Sequence, residues 1–127
     1  MESEEKRYIQ KFVKRREAMV NKTQMLKGIL EGCVLKVVNR GPCYSGEIVQ
    51  MLREAGFEDM AEGTLFPMLL RLEKEGLFET EKVANPLGPS RKYYRLSQAG
   101  REQLEEFSMV WDGFRDIIDG IMKEGQV

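Results

Sequence analysis

The 127 residues predict a mainly α fold with a small β-hairpin, and two stretches decide it. Between Gly63 and Gly76, Leu65, Met68, Leu69 and Leu72 recur at i, i+3, i+4 and i+7, which puts apolar side chains on one stripe of a helix. Thr64, Pro67, Arg71 and Lys74 face the other way. Directly afterwards, Leu77 to Val83 and Arg91 to Leu96 read as strands flanking Ala84 to Ser90, where Asn85, Pro86, Gly88 and Pro89 exclude regular structure. A helix with a cationic outer face beside a cationic hairpin describes a recognition helix and its wing. That surface fits a polyanion such as duplex DNA.

The remaining elements follow in chain order. Glu2 to about Val20 is helix-permissive, with Ile9, Phe12 and Val13 as a short apolar stripe. A second helix is expected from Lys22 to Val38, marked by Leu26, Ile29, Leu30, Cys33, Val34 and Val37 and ended by Gly41-Pro42. Gly28 and Gly32, one turn apart, predict a tight helix contact. Ser45 to Ala55 is a third helix, with Ser45 as its cap, Ile48, Val49 and Leu52 inward, and Gly56 as its stop. The recognition helix has two possible starts: Thr64 as N-cap would put Pro67 in the first turn, and a start near Ala61 would make Pro67 a kink. Helix, helix, helix, hairpin is the order of a winged helix-turn-helix.

After Ser97, Leu104, Phe107, Trp111, Phe114, Ile118 and Ile121 alternate spacings of three and four, a coiled-coil seam. Val110 and Ile117 widen it beyond what one face inside so small a domain covers. A second copy of the chain is therefore the expected partner, packing on the chain's own N-terminal helix being the alternative. The expected organisation is 1–21 N-terminal basic helix, 22–97 winged-helix DNA-binding domain and 98–127 C-terminal dimerisation helix.

Composition narrows the function classes. The chain is 42% apolar, with no run long enough for a membrane span and no signal-peptide pattern at its charged start, so a cytoplasmic location is expected. It has no histidine, and Cys33 and Cys43 sit at no metal-ligand spacing; no cofactor, metal or catalytic residue is expected. Cys33 reads as a small apolar packing residue. Net charge is −1, but residues 1 to 30 hold eight Lys/Arg against four Glu, and residues 98 to 127 hold three cations against seven Asp/Glu. Such polarity suits a molecule whose basic part faces phosphate.

Three motifs now resemble the PadR family of winged-helix transcriptional regulators, over roughly residues 22 to 122. Gly63, Thr64, Leu65, Phe66 and Pro67, followed by Leu69, Arg71, Leu72, Glu73, Glu75 and Gly76, resemble the family's G-T-L-Y-P-x-L-x-R-L-E-x-x-G helix. Gly88 to Ser97 with Gly100 resemble its wing strand, G-P-x-R-K-Y-Y-x-L-T-x-x-G. Gly41, Pro42, Tyr44, Glu47 and Ile48 resemble a shorter segment, G-P-x-Y-G-Y-E-I. Phe66 stands where the family usually has tyrosine, and Ser45-Gly46 replace Gly-Tyr, so a hydroxyl and an aromatic ring are missing.

The resemblance implies a short family member with one C-terminal helix, a homodimer that binds a roughly palindromic double-stranded DNA operator and acts as a repressor. DNA contacts are expected from Thr64, Phe66, Pro67, Arg71, Lys74, Arg91, Lys92, Lys22, Lys27 and Ser45. Dimer contacts are expected from Leu104, Phe107, Trp111, Phe114, Ile118 and Ile121. In some relatives paired tryptophans of the C-terminal helices sandwich flat aromatic molecules, which makes Trp111 a candidate platform for a planar aromatic effector. The alternative from another class is a protein-interaction adaptor that keeps the winged-helix scaffold without sequence-specific DNA binding.

Overall fold

The computed structural model describes Leu26 and residues 28–124. The helix expected over Glu2 to Val20, and Lys22 and Lys27 with it, lie outside the described residues. Residues Glu31–Val127 fall in one compact unit, which carries all but the first residues of the architecture described here.

Helix α1 spans Ile29–Val38, strand β1 Cys43–Tyr44, α2 Ser45–Ala55, α3 Glu62–Lys74, β2 Phe78–Val83, β3 Arg91–Leu96 and α4 Gln98–Lys123. Leu65, Leu69 and Leu72 of α3 are completely buried, as the spacing predicts, and meet a core of Val34, Leu35 and Val38 from α1 and Ile48, Val49 and Leu52 from α2. Each such side chain contributes roughly 1.5–3 kcal/mol by leaving water. Tyr94 closes the core from the sheet, with its ring edge-on to Phe78 at 5.6 Å between centroids. Tyr93 and Arg95, of opposite strand parity, stay outside the core.

Four local expectations change. The expected helix from Lys22 to Val38 is not continuous, because Gly28 has φ +82°, a left-handed backbone that interrupts helical geometry, and α1 starts at Ile29. The close neighbour expected at Gly32 is a side chain rather than a backbone: the Phe107 ring of α4 occupies the space a Cβ would take. Tyr44, not Ser45, is the N-cap of α2, and its amide donates to the Glu47 carboxylate at 3.2 Å. The hairpin also gains a strand. β1 pairs antiparallel with β3, Cys43 opposite Tyr94 and Tyr44 opposite Tyr93, so the sheet has order β1-β3-β2.

Two helix ends share one stop. At α3, Gly76 (φ +79°) lets the Leu77 amide donate to the Leu72 carbonyl at 3.0 Å and its own amide to Glu73 at 3.0 Å. At α2, Gly56 does the same with Phe57 bonding Leu52 at 2.9 Å. The α2–α3 turn is further fixed by Arg53, whose Nε donates to the Met60 carbonyl at 2.6 Å.

Ser97 joins the sheet to α4. Its Oγ accepts from the Gly100 amide at 3.0 Å and donates to the Gly76 carbonyl at 2.6 Å, while its own amide donates to Leu77 at 3.0 Å. Gly100 lies directly on the Leu77 carbonyl oxygen.

Candidate nucleic-acid interface

Helix α3 begins at Glu62 with Ala61 as N-cap, so Pro67 lies in the second turn and withholds one amide from the Gly63 carbonyl. At 100° per residue, Gly63, Pro67, Leu70 and Lys74 form the row opposite the buried leucines, and all four are exposed. Thr64 and Arg71 flank this row toward α1. Phe66 and Glu73 flank it toward the sheet.

Both flanks are ion-paired. Arg71 donates through Nη2 to Glu31 of α1 and through Nη1 to Glu75 at 3.3 Å. The hydrogen bond that Arg71 donates to Glu31 pushes the guanidinium above its already high ordinary value, outweighing an opposing effect of burial, and the Glu31 and Glu75 charges add to it. On the other flank, Glu73 accepts from Lys92 of β3 at 2.5 Å and from the Thr80 hydroxyl at 3.2 Å. Each pair bonds the recognition helix to a neighbouring element. Lys74 makes no ion pair with any described residue.

The wing carries the second group of cations. Lys82 stands opposite Lys92 and Val83 opposite Arg91 in the β2–β3 register. Like charges directly opposite repel, and the Glu73 carboxylate offsets this for Lys92. Arg91 is exposed, with its guanidinium 4.4 Å above the Tyr44 ring. The tip is a turn: the Gly88 amide donates to the Asn85 carbonyl at 3.2 Å and the Leu87 amide to Asn85 Oδ1 at 3.1 Å. Leu87 projects from it, 96% exposed.

Of the residues expected to contact DNA, Thr64, Phe66, Pro67 and Lys74 share the exposed side of α3, and Arg91 and Lys92 share β3. Arg71 is on that side too, but held by two carboxylates. Ser45 is half-buried in the first turn of α2. Sequence reading missed Lys82, whose place opposite Lys92 needs the register; Leu70, exposed although apolar; and Tyr44, which supports Arg91 only because β1 joins β3.

Of the expected dimer residues, Leu104 is buried within the protomer and Phe107 half-buried on Gly32. Beyond them Val110, Trp111, Phe114, Ile117, Ile118 and Ile121 are exposed, Phe114 by 57% and Trp111 by 37%. Among the described residues no group of three or more His, Cys, Asp or Glu could hold a metal, and no helix is long and apolar enough to cross a membrane.

A helix-turn-helix with an exposed second helix and a cationic three-stranded wing defines a winged-helix DNA-binding protein. Residues 34–106 match the transcriptional regulator PadR-like family, and the chain belongs to that family of transcriptional regulators, which are not enzymes. It is similar to a PadR-like transcriptional regulator of known structure from Bacillus cereus, 41% identical over 79% of this chain and 97% of that one, with a TM-score of 0.72. A Streptococcus transcriptional regulator is 42% identical, covers 80% and 99%, and has a TM-score of 0.72. A PadR family regulator from Eggerthella lenta is 26% identical, covers 91% of this chain and 99% of that one, and has a TM-score of 0.78.

Proposed function

We propose that this regulator acts as a homodimeric repressor that binds a roughly palindromic DNA operator, each subunit placing α3 in a major groove and its wing along the flanking backbone. Half-sites then lie about one helical turn apart, ~34 Å. The observation that carries this reading is the joining of the exposed α3 helix to the wing, where Lys92 of β3 reaches Glu73 on the flank of α3. Thr64, Lys74 and Ser45 are proposed as backbone or base-edge contacts, and Arg91, Lys92, Lys22 and Lys27 as phosphate contacts.

The functional parts follow the same division: residues 1–21 a basic arm, 22–97 the DNA-binding part and 98–127 the pairing helix. Pairing is supported by the exposed apolar face of α4, where Val110, Trp111, Phe114, Ile117, Ile118 and Ile121 all remain accessible, since clustered exposed apolar side chains mark interaction surfaces. A planar aromatic effector would stack on Trp111, beside Phe114 and Ile118 at i+3 and i+7.

Binding of genomic fragments by the purified chain, at several salt concentrations, tests DNA recognition. Specific, salt-sensitive retention supports it, and weak, salt-insensitive association favours the adaptor reading. Sedimentation of the wild type against Phe114→Glu tests pairing: the wild type should sediment as a dimer at micromolar concentration and the variant as a monomer. Trp111 is the sole indole, so quenching of its fluorescence by planar dyes tests the effector site, and an unchanged signal across the panel removes it.

A further inference from the structure

The centre of the recognition helix offers a groove no hydrogen bonds. Phe66 is 48% exposed and Leu70 37%, with Pro67 exposed between them. Phe66 and Leu70 are i, i+4 neighbours and Pro67 and Leu70 i, i+3, so the three form one continuous apolar surface. None has a polar side-chain atom, and Pro67 lacks even an amide N–H.

Two charged side chains that flank this surface, Arg71 and Glu73, are already engaged. Arg71 is shared by Glu31 and Glu75, and the Glu73 carboxylate accepts from Lys92 and Thr80. In the major groove the one apolar feature among the base edges is the C5-methyl group of thymine. Resting on the DNA-binding reading above, we propose that Phe66, Pro67 and Leu70 select the operator by packing on thymine methyl groups, so that the middle of each half-site is specified as A·T pairs by apolar contact rather than by side-chain hydrogen bonds.

The test removes those methyl groups without changing base pairing. A duplex selected from genomic fragments is resynthesised with deoxyuridine replacing one thymine at a time. One or two positions per half-site should weaken wild-type binding about fourfold each, the cost of exposing one buried methyl-sized group. At those positions Phe66→Ala or Leu70→Ala should bind thymine and uracil duplexes equally. Both side chains lie at the surface, so the variants should stay folded with only a modest fall in melting temperature, and the comparison of two duplexes on one variant is independent of any change in its fold. Equal wild-type binding to the thymine and uracil duplexes at every position overturns the methyl reading while leaving DNA recognition intact. Failure to select any duplex overturns both.

Discussion

Arg71 and Glu31, forty positions apart in the chain, form an ion pair that ties the recognition helix to the first helix of the domain, and Glu75 holds the same guanidinium from one turn further along α3. Such a pair on a half-exposed surface contributes little to stability, about 0–1 kcal/mol. Its larger effect is to take a cation out of the field that DNA meets.

Glu31→Gln should therefore strengthen DNA binding while hardly changing the melting temperature. The plot of log affinity against log salt should steepen by about 0.9, the increment for one further phosphate contact. Filter binding between about 50 and 200 mM salt checks it. An unchanged slope would mean that Arg71 does not reach phosphate once Glu31 is removed, Glu75 alone being enough to hold it.

Two buried glycines should respond differently to a methyl group. At Gly100 the added carbon meets the Leu77 backbone carbonyl, which cannot swing aside. Gly100→Ala should cost about 2–3 kcal/mol, in the upper part of the overpacking range. For a domain of about 100 residues this lowers the melting temperature by roughly 10 °C or more. At Gly32 the obstacle is the Phe107 ring, which can rotate, and alanine gains about 1 kcal/mol of helix propensity. Gly32→Ala should be clearly the milder of the two in a thermal melt.

Arg91 is displayed above the Tyr44 ring at 4.4 Å. Arg91→Ala should weaken binding uniformly across duplex sequences and reduce the salt slope by about one, the signature of a phosphate contact. Tyr44→Leu keeps the charge but loses the ring beneath it, and should show a smaller loss with the slope retained. Titrations on selected and unrelated duplexes separate the two.

The thiol of Cys43 is pushed up to about 11, first by burial and then by the Glu47 carboxylate. In the unfolded chain a thiol ionises near about 8.5. Folding thus favours the protonated thiol, and the stability this provides is fully present below about pH 8.5 and lost as pH rises toward 11. Urea melts of the wild type and Cys43→Ala should differ by a constant amount up to about pH 8.5, then converge or cross as pH rises. Iodoacetamide at pH 8 should modify Cys33, only half-buried, before Cys43.

The parts of the fold that follow from local periodicity were legible in the chain. The leucine stripe of α3, the inward side of α2 and the inward parity of Tyr94 each depend on spacing within one element. The features that were not legible depend on partners distant in sequence. β1 is two residues long and has no period to read; it exists because Cys43 and Tyr44 meet Tyr94 and Tyr93 of β3. Once β1 forms, Tyr44 rather than Ser45 caps α2. Arg71 looked like an available cation because Glu31 is forty residues away. Gly28 fits a helical pattern as well as a turn, and its positive φ decides for the turn. Leu70 is apolar yet exposed, and no periodicity marks an apolar residue that stays outside the core.

Helix α4 has 26 residues, about 39 Å at 1.5 Å per residue. Its base is pinned through Ser97 and Gly100 to Gly76 and Leu77, the joint where α3 ends and β2 begins. The helix is thus a lever arm with its pivot on the DNA-reading joint. A tilt of about 5° at the pivot sweeps the far tip by roughly 3 Å over that length. By the same ratio, a displacement of a few ångströms imposed at the tip reaches the joint as a small, finely graded rotation.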